Sequence, residues 1–480
     1  MTRIVVGPFN RVEGDLEVTL DVEDGAVRSA RVNAPLFRGF EQILAGKAAL
    51  DALALVPRIC GICSVAQSAA AARALAGAMS LEPPENGRLA ADLTQAAENL
   101  ADHLTHFYLF FMPDFARAAY ARRRWFALAE RRFQAMQGTA AAEALAARAR
   151  FLEVMGLLAG KWPHTLALQP GGTSRAVLAA EKIQLLMLIR GFRSFLERTL
   201  FGDALERVAT LENAAALDAW RDARPAEASD FRLFLEIARD LELARLGRAG
   251  DVFLSYGAYG PSGAPRFPAG VFDGALQPLD EGSIREDVSH AWMADDAPRH
   301  PADGVTRPVA EKAGAYTWCK APRLGGRVAE VGALARQVVA GHPLARDLVA
   351  IDGGNVLSRV VARVLELALV VPEMERWALA LEPGAPFCVE GRLPDDASGV
   401  GLVEAARGSL GHWLTVRRGR IHGYQIVAPT TWNFSPRDAG GRPGALELAL
   451  VGTPAGEGEA AVQVQHVVRS FDPCMVCTVH

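Results

Sequence analysis

Residues Ser64–Met112 read SVAQSAAAARALAGAMSLEPPENGRLAADLTQAAENLADHLTHFYLFFM. Ser64–Met79 is almost an alanine tract, and Glu85–Met112 runs with helical periodicity. Arg117–Leu158, Ser174–Leu200 and Gly354–Leu369 carry the same pattern further along the chain. The N-terminus differs. Asp15–Val22 alternates apolar and polar residues, Asp24-Gly25 supplies a tight turn, and Ala26–Asn33 alternates again, which predicts a β-hairpin. Alternation returns at Trp413–Arg417 and Ile421–Val427 around Arg418-Gly419. The Pro/Gly-rich segments Gly257–Pro278 and Pro298–Pro308 read as long loops. The expected fold is α+β and predominantly α, a long-helix bundle with small β elements near both termini. No repeat or low-complexity linker divides the chain. We expect a single body over 1–480, with a hairpin region at 1–36, a mainly helical part at 57–400, and a C-terminal β region with a metal-binding tail at 405–480.

Composition narrows the function. Lys plus Arg is 51 and Asp plus Glu is 55, a formal charge of −4. A nucleic-acid binder would carry a basic excess. Half the 480 residues are hydrophobic, enough for a large core rather than disorder. The start, MTRIVVGPFNRVEGD, has no apolar signal region, and no apolar run reaches the ~20 residues a membrane span needs. The expected location is the cytoplasm. Arg122-Arg123-Arg124 and Arg131-Arg132 read as a solvated helix face. His103 and His106 lie three apart and could share a metal, but with Phe107 and Phe110 they also fit a core stripe.

Four of the six cysteines form two CxxC pairs, Cys60/Cys63 and Cys474/Cys477. An alanine-rich helix follows the first. Asp472-Pro473 before the second reads as an N-cap and a first helical residue. Each pair is therefore expected in the first turn of a helix, with both sulfurs on one face and the helix dipole favouring thiolate. CxxC is also a redox motif, and four sulfurs also fit a closed zinc site. Zinc ribbons keep their pairs roughly 15–20 residues apart. Here almost the whole chain intervenes, which suits a buried active centre. His480, three residues after Cys477, could add a further ligand.

At these residues the sequence resembles the large subunit of nickel–iron hydrogenases. Arg58-Ile59-Cys60-Gly61-Ile62-Cys63 is similar to the family's RxCGxC motif, and Asp472-Pro473-Cys474 through Cys477 to His480 resembles its DPCxxCxxH. Arg11-Val12-Glu13-Gly14, Phe37-Arg38-Gly39-Phe40-Glu41, Asp102–Tyr108, Lys320–Arg323, Ala406-Arg407-Gly408 and Ala428–Asn433 resemble further family blocks in family order. The resemblance implies a nickel–iron centre. Cys60 and Cys474 would be terminal nickel ligands. Cys63 and Cys477 would bridge nickel to an iron carrying carbon monoxide and two cyanides. It implies that dihydrogen is split heterolytically, that Glu13 takes the proton, and that Arg407 sits over the metals between Asp102 and Asp472. It also implies that Thr430 donates to a cyanide. Glu41, the carbonyl of Ile426 and His480 would hold magnesium, with Lys320 behind them. Cys319 and Cys388 match no ligand motif and read as core thiols. Electrons would leave through an iron–sulfur small subunit, because this chain lacks the cysteines for such clusters.

Several positions depart from the common family pattern. Asp15 and Gln67 stand where many members have His, and Ala406 where Pro is frequent. Ile62 and Phe110 resemble the dihydrogen-sensing branch, where many oxygen-sensitive members have Val and Leu. That branch is also known for lacking the C-terminal extension beyond the final His. The expected function is thus a dihydrogen-sensing, low-turnover hydrogenase with a histidine kinase as output partner. An energy-conserving uptake enzyme is the alternative within the family, and a non-catalytic structural zinc protein the alternative outside it.

Overall fold

The alanine tract becomes a helix, Ser64–Met79, that lies directly on the strand Ala397–Ala405. Small residues on both sides allow this approach. A Cβ on Gly399 or Gly401 would overlap the carbonyl oxygens of Ala74 and Ala70, so only glycine opposite alanine brings the two backbones together. In the computed structural model, which describes residues 2–260 and 265–480, this packing joins the first half of the chain to the last.

The long helix Glu85–Thr105 continues as a π-turn over His106–Phe111. It packs against Val356–Ala380, a 25-residue helix. Asn355 and Ser358 begin that helix with reciprocal side-chain to backbone bonds of 2.9 Å each. It runs past the predicted end at Leu369 and through Pro372, because burial of the Val360–Met374 face carries it onward. Elsewhere the helical prediction is too continuous. Arg117–Leu158 breaks into Phe126–Phe133, Thr139–Phe151 and Glu153–Ala159, and Ser174–Leu200 narrows to Ala179–Phe195 with a π-turn after it.

The N-terminal hairpin is present as Glu17–Glu23 against Ala26–Asn33. Asp24 and Gly25 turn with φ of 52° and 75°, the left-handed pair a two-residue hairpin needs. A strand the sequence did not reveal, Thr2–Val6, completes a three-stranded sheet. The C-terminal sheet has the order Ala397–Ala405, Gly408–Arg417, Arg420–Val427, all antiparallel, and starts well before Trp413. Gly257–Pro278 is not a long loop. It lies largely within a third sheet, Phe253–Ala258, Phe267–Asp273 and Ala275–Gln277, whose apolar residues cover Ala333–Val339. Part of that segment, 261–264, lies outside the described residues. The α+β, predominantly helical class holds. One main core unites the N-terminal sheet, the long helices and the C-terminal tail. Among the described residues, no helix is long and apolar enough to cross a membrane.

Candidate metal centre

The first cysteine pair does not sit in a helical turn. Cys60 is extended, with φ −149° and ψ 132°, and Cys63 is the residue that starts Ser64–Met79. Neither does the second pair. Asp472 is left-handed at φ 57°, Cys474 is extended, and only Cys477 lies within the short helix Met475–Thr478. Asp472 therefore is not a helix cap; its turn frees the carboxylate for another partner. Each pair reaches over the lip of a helix rather than along its face. The two lips meet. Cys60 and Cys474 sulfurs are 3.5 Å apart, Cys63 and Cys477 3.0 Å, and Cys474 and Cys477 3.2 Å. All four ligand atoms lie within 4.8 Å of one another in a buried cluster.

Burial works against charge here, but unequally. At Cys60 it is outweighed by bonds from the other three sulfurs and by Arg407, which pull the thiol well below its ordinary value. Cys63 is pushed well up by bonds to its neighbours, and Cys477 by burial. Four soft sulfurs brought this close fit a soft metal centre.

Arg407 stands beside the sulfurs at the tip of a two-residue hairpin. Ala405 pairs with Gly408, leaving only Ala406 and Arg407 in the turn. Arg336 clamps that tip. It donates to the carbonyls of Ala405 (3.0 Å) and Ala406 (3.1 Å) and forms buried ion pairs with Glu366 (2.7 Å) and Glu404 (3.0 Å). Arg407 in turn pairs with Asp102 at 2.8 Å and Asp472 at 3.1 Å, and its Nε donates to the Asp472 carbonyl at 2.9 Å. Of the two carboxyls, burial pushes Asp102 up to about 7. Asp472 lies below its ordinary value because Arg407, together with His106 and Arg363, outweighs its burial. Arg407 Nη1, the atom 2.8 Å from Asp102 Oδ2, is buried and poorly aligned with that oxygen.

Glu13 reaches the cluster through its backbone. It forms a parallel bridge to Cys474, and its carbonyl accepts from Met475 N at 2.7 Å. Its carboxyl is half-buried and raised, first by desolvation and then by Cys60. Thr430 lies behind Cys474, its hydroxyl accepting the Cys474 N–H at 3.2 Å. Glu41, Ile426 and His480 also converge. Glu41 Oε1 is 3.2 Å from His480 Nε2 and accepts the Ile426 N–H at 2.9 Å, and Lys320 lies 3.2 Å from Oε2. Burial alone would raise Glu41, yet Lys320, His480 and Thr306 hold it well below the usual carboxylate range.

Other predictions fare differently. His103 and His106 share no ligand direction. His103 faces Glu366 at 3.2 Å, and His106 faces the Arg469 carbonyl at 2.7 Å. The basic runs are not one helix face: Arg122–Arg124 lie in the turn before Phe126–Phe133, Arg122 and Arg131 are exposed, and Arg123 pairs with Glu459 and Asp240 and Arg132 with Glu143 and Asp230. Cys319 is buried, but Cys388 is exposed and is not a core thiol, because it lies where the chain leaves Phe387 for the surface. Ile62 and Phe110 are half-buried.

Sequence reasoning missed Glu98. Its carboxylate accepts from Val65 N and Ala66 N at 2.9 Å each, from Trp162 Nε1 at 2.9 Å and from Ser64 Oγ at 3.3 Å. It thus caps the helix that begins at Cys63 from a neighbouring helix. The only available signal was a lone Glu inside an apolar helical stretch. Arg336 and the link from Gln67 to Cys477 were missed for the same reason: their partners are far away in sequence.

The pattern described as nickel-dependent hydrogenase matches residues 38–124 and 118–480. The periplasmic [NiFeSe] hydrogenase large subunit of Desulfomicrobium baculatum is 29% identical over 100% of this chain and 95% of its own length. The uptake hydrogenase large subunit of Cupriavidus necator is 27% identical over 100% and 95%. Among solved structures, the reduced Ni-Fe-Se hydrogenase of D. vulgaris Hildenborough superposes with a TM-score of 0.84 at 30% identity, covering 100% of both chains.

Proposed function

This chain belongs to the nickel-dependent hydrogenase family, and from that premise we propose that Cys60, Cys63, Cys474 and Cys477 hold the nickel–iron centre at which dihydrogen is oxidised. The observation that carries this is the meeting of four buried sulfurs from opposite ends of the chain. Cys60 and Cys474 would hold the nickel, and Cys63 and Cys477 would hold it together with an iron that would carry carbon monoxide and cyanide. When bound, such a centre supplies the redox chemistry for heterolytic cleavage of dihydrogen into protons and electrons.

The chain's own residues do the rest. Arg407 is kept charged by Asp102 and Asp472, which hold its guanidinium beside the sulfurs as a positive group facing the centre. Thr430 offers its hydroxyl proton to a cyanide while accepting the Cys474 N–H. Glu13 takes the released proton at its carboxylate, where a raised affinity suits a base. Glu41, the Ile426 carbonyl and His480 are read as a magnesium site. A carboxylate held ionised and a carbonyl suit a hard cation.

Cys319 and Cys388 cannot hold a cluster between them, so electrons leave through an iron–sulfur small subunit. Two roles remain within the family. Uptake oxidation is supported by relatives of that name. A cytoplasmic dihydrogen sensor signalling to a histidine kinase is supported by Ile62 and Phe110. Elemental analysis and infrared spectroscopy of the chain with its small subunit test the centre. Nickel and iron near 1:1 with carbon monoxide and cyanide bands are expected, and zinc alone would overturn it. Sustained high turnover with an added acceptor supports uptake. Slow turnover that survives air in wild type but not in Ile62→Val/Phe110→Leu supports sensing.

A further inference from the structure

A buried hydrogen-bond chain runs from the C-terminal sheet to one of the four sulfurs. Gln67, in the first turn of Ser64–Met79, has its Nε2 3.9 Å from Cys477 Sγ, at the long end of an N–H···S contact. Its Oε1 is 2.9 Å from His412 Nε2, and His412 Nδ1 is 2.8 Å from the Tyr424 hydroxyl. Gln67, His412, Tyr424 and Cys477 are all at most 2% exposed. His412 and Tyr424 come from adjacent strands, two positions out of register, so their rings meet diagonally at 5.5 Å.

Counting protons gives this chain a direction. A neutral imidazole has one N–H and one lone pair. His412 is fully buried, and its two ring nitrogens face the uncharged Gln67 amide and Tyr424 hydroxyl rather than a carboxylate, so it is read as neutral. If Gln67 turns its NH2 toward Cys477, its carbonyl faces His412 and needs a proton from Nε2. Nδ1 is then the acceptor, and the Tyr424 hydroxyl is the donor. Every group in the chain is satisfied in that order. In the other tautomer, His412 Nε2 presents a lone pair. Gln67 must then turn its NH2 to His412 and its carbonyl oxygen to the sulfur. A thiolate repels that oxygen, so a ligating Cys477 selects the first order.

We propose that His412 and Tyr424 are positioning residues that act through Gln67 to hold an N–H donor on the Cys477 sulfur, weakening its electron donation to the metals. Nothing in the Glu13 and Arg407 arrangement requires these two residues. The inference rests on the reading of Cys477 as a ligand of the metal centre. Hydrogen bonds to metal-bound sulfur tune the metal's electron density and potential.

The test uses the chain with its small subunit. Metal content is measured first, then the carbon monoxide stretching band. Losing the donor leaves more electron density on the metals, which lowers the band. Gln67→Leu should lower it. Tyr424→Phe, which removes only the hydroxyl, should lower it by less. His412→Leu should match Gln67→Leu, whereas His412→Gln, which can still donate to Gln67, should stay nearer wild type. Tyr120→Phe removes a similar buried hydroxyl, 2.8 Å from His466 Nε2 and outside this chain of contacts, and should not shift the band. Metal-loaded His412→Leu and Tyr424→Phe with wild-type bands would overturn the proposal while leaving the metal centre intact. Should Tyr424→Phe not fold, equal bands in His412→Leu and His412→Gln would overturn it instead. A wild-type protein without nickel and iron would fail the functional reading first, and this inference with it.

Discussion

Gly401→Ala tests how the helix that starts at Cys63 is seated. Gly401 has an ordinary strand backbone, so alanine costs nothing locally. The cost comes from the facing helix. A Cβ there would lie 2.8 Å from Ala74 N and 2.9 Å from the Ala70 carbonyl carbon, and closer still to the Ala70 oxygen. Ordinary contact begins near 3.4 Å, so strand and helix must part by more than half an ångström along a face where neither has a flexible side chain to yield. Overpacking of this kind costs typically 1–3 kcal/mol, and two rigid backbones place it at about 3. That is roughly a hundredfold in the folded-to-unfolded ratio. Ala70 is two turns from Cys63, about 10 Å along the axis, so the shift also reaches the sulfurs, which need geometry within about 0.5 Å. Urea denaturation and nickel and iron content, measured together, are the assay. Gly423→Ala is the control, because its Cβ would meet only Thr415 Cβ at 3.9 Å; it should change stability by less than about 0.5 kcal/mol. If Gly401→Ala matches Gly423→Ala in both measurements, glycine is not what allows the helix to approach, and the packing account is wrong.

Three further outcomes are expected. Cys477→Ser should lose both nickel and iron by elemental analysis, because a hard hydroxyl does not replace a soft bridging thiolate. Glu13→Gln should keep the metals but slow dihydrogen–deuterium exchange by roughly 10²; unchanged exchange would mean protons leave elsewhere. Glu366 is held at about 2 against an ordinary 4.5, because Arg336 and His103 outweigh its burial. A depressed carboxyl stabilises the fold above pH 4.5 and loses that contribution as pH falls through 2. The gap is worth about 3 kcal/mol, so wild type should lose that much more stability than Glu366→Gln across this window in acid denaturation.

Local signals in the sequence determined local structure. Asp24-Gly25 and Arg418-Gly419 had to turn left-handed, and both do, because a two-residue hairpin needs positive φ. The alanine tract had to be a helix. The two CxxC pairs were visible as candidates for one centre, because four thiol donors at both ends of a chain are chemically conspicuous, and their sulfurs do converge. Periodicity could not fix where Val356–Ala380 ends or show that Phe253–Asp273 contains strands. Those outcomes depend on what each apolar face meets. The same holds around the centre. Asp472 looked like a helix cap, yet a left-handed turn sends it to Arg407. Glu98, Arg336 and His412 carried no signal, because a polar side chain in an apolar stretch reads identically whether it faces water or a buried partner. Their partners, the N–H groups after Cys63, the Ala405 and Ala406 carbonyls and the Gln67 amide, come within reach only once helix and sheet are packed. A buried polar group must be paired, and only the tertiary structure decides with what.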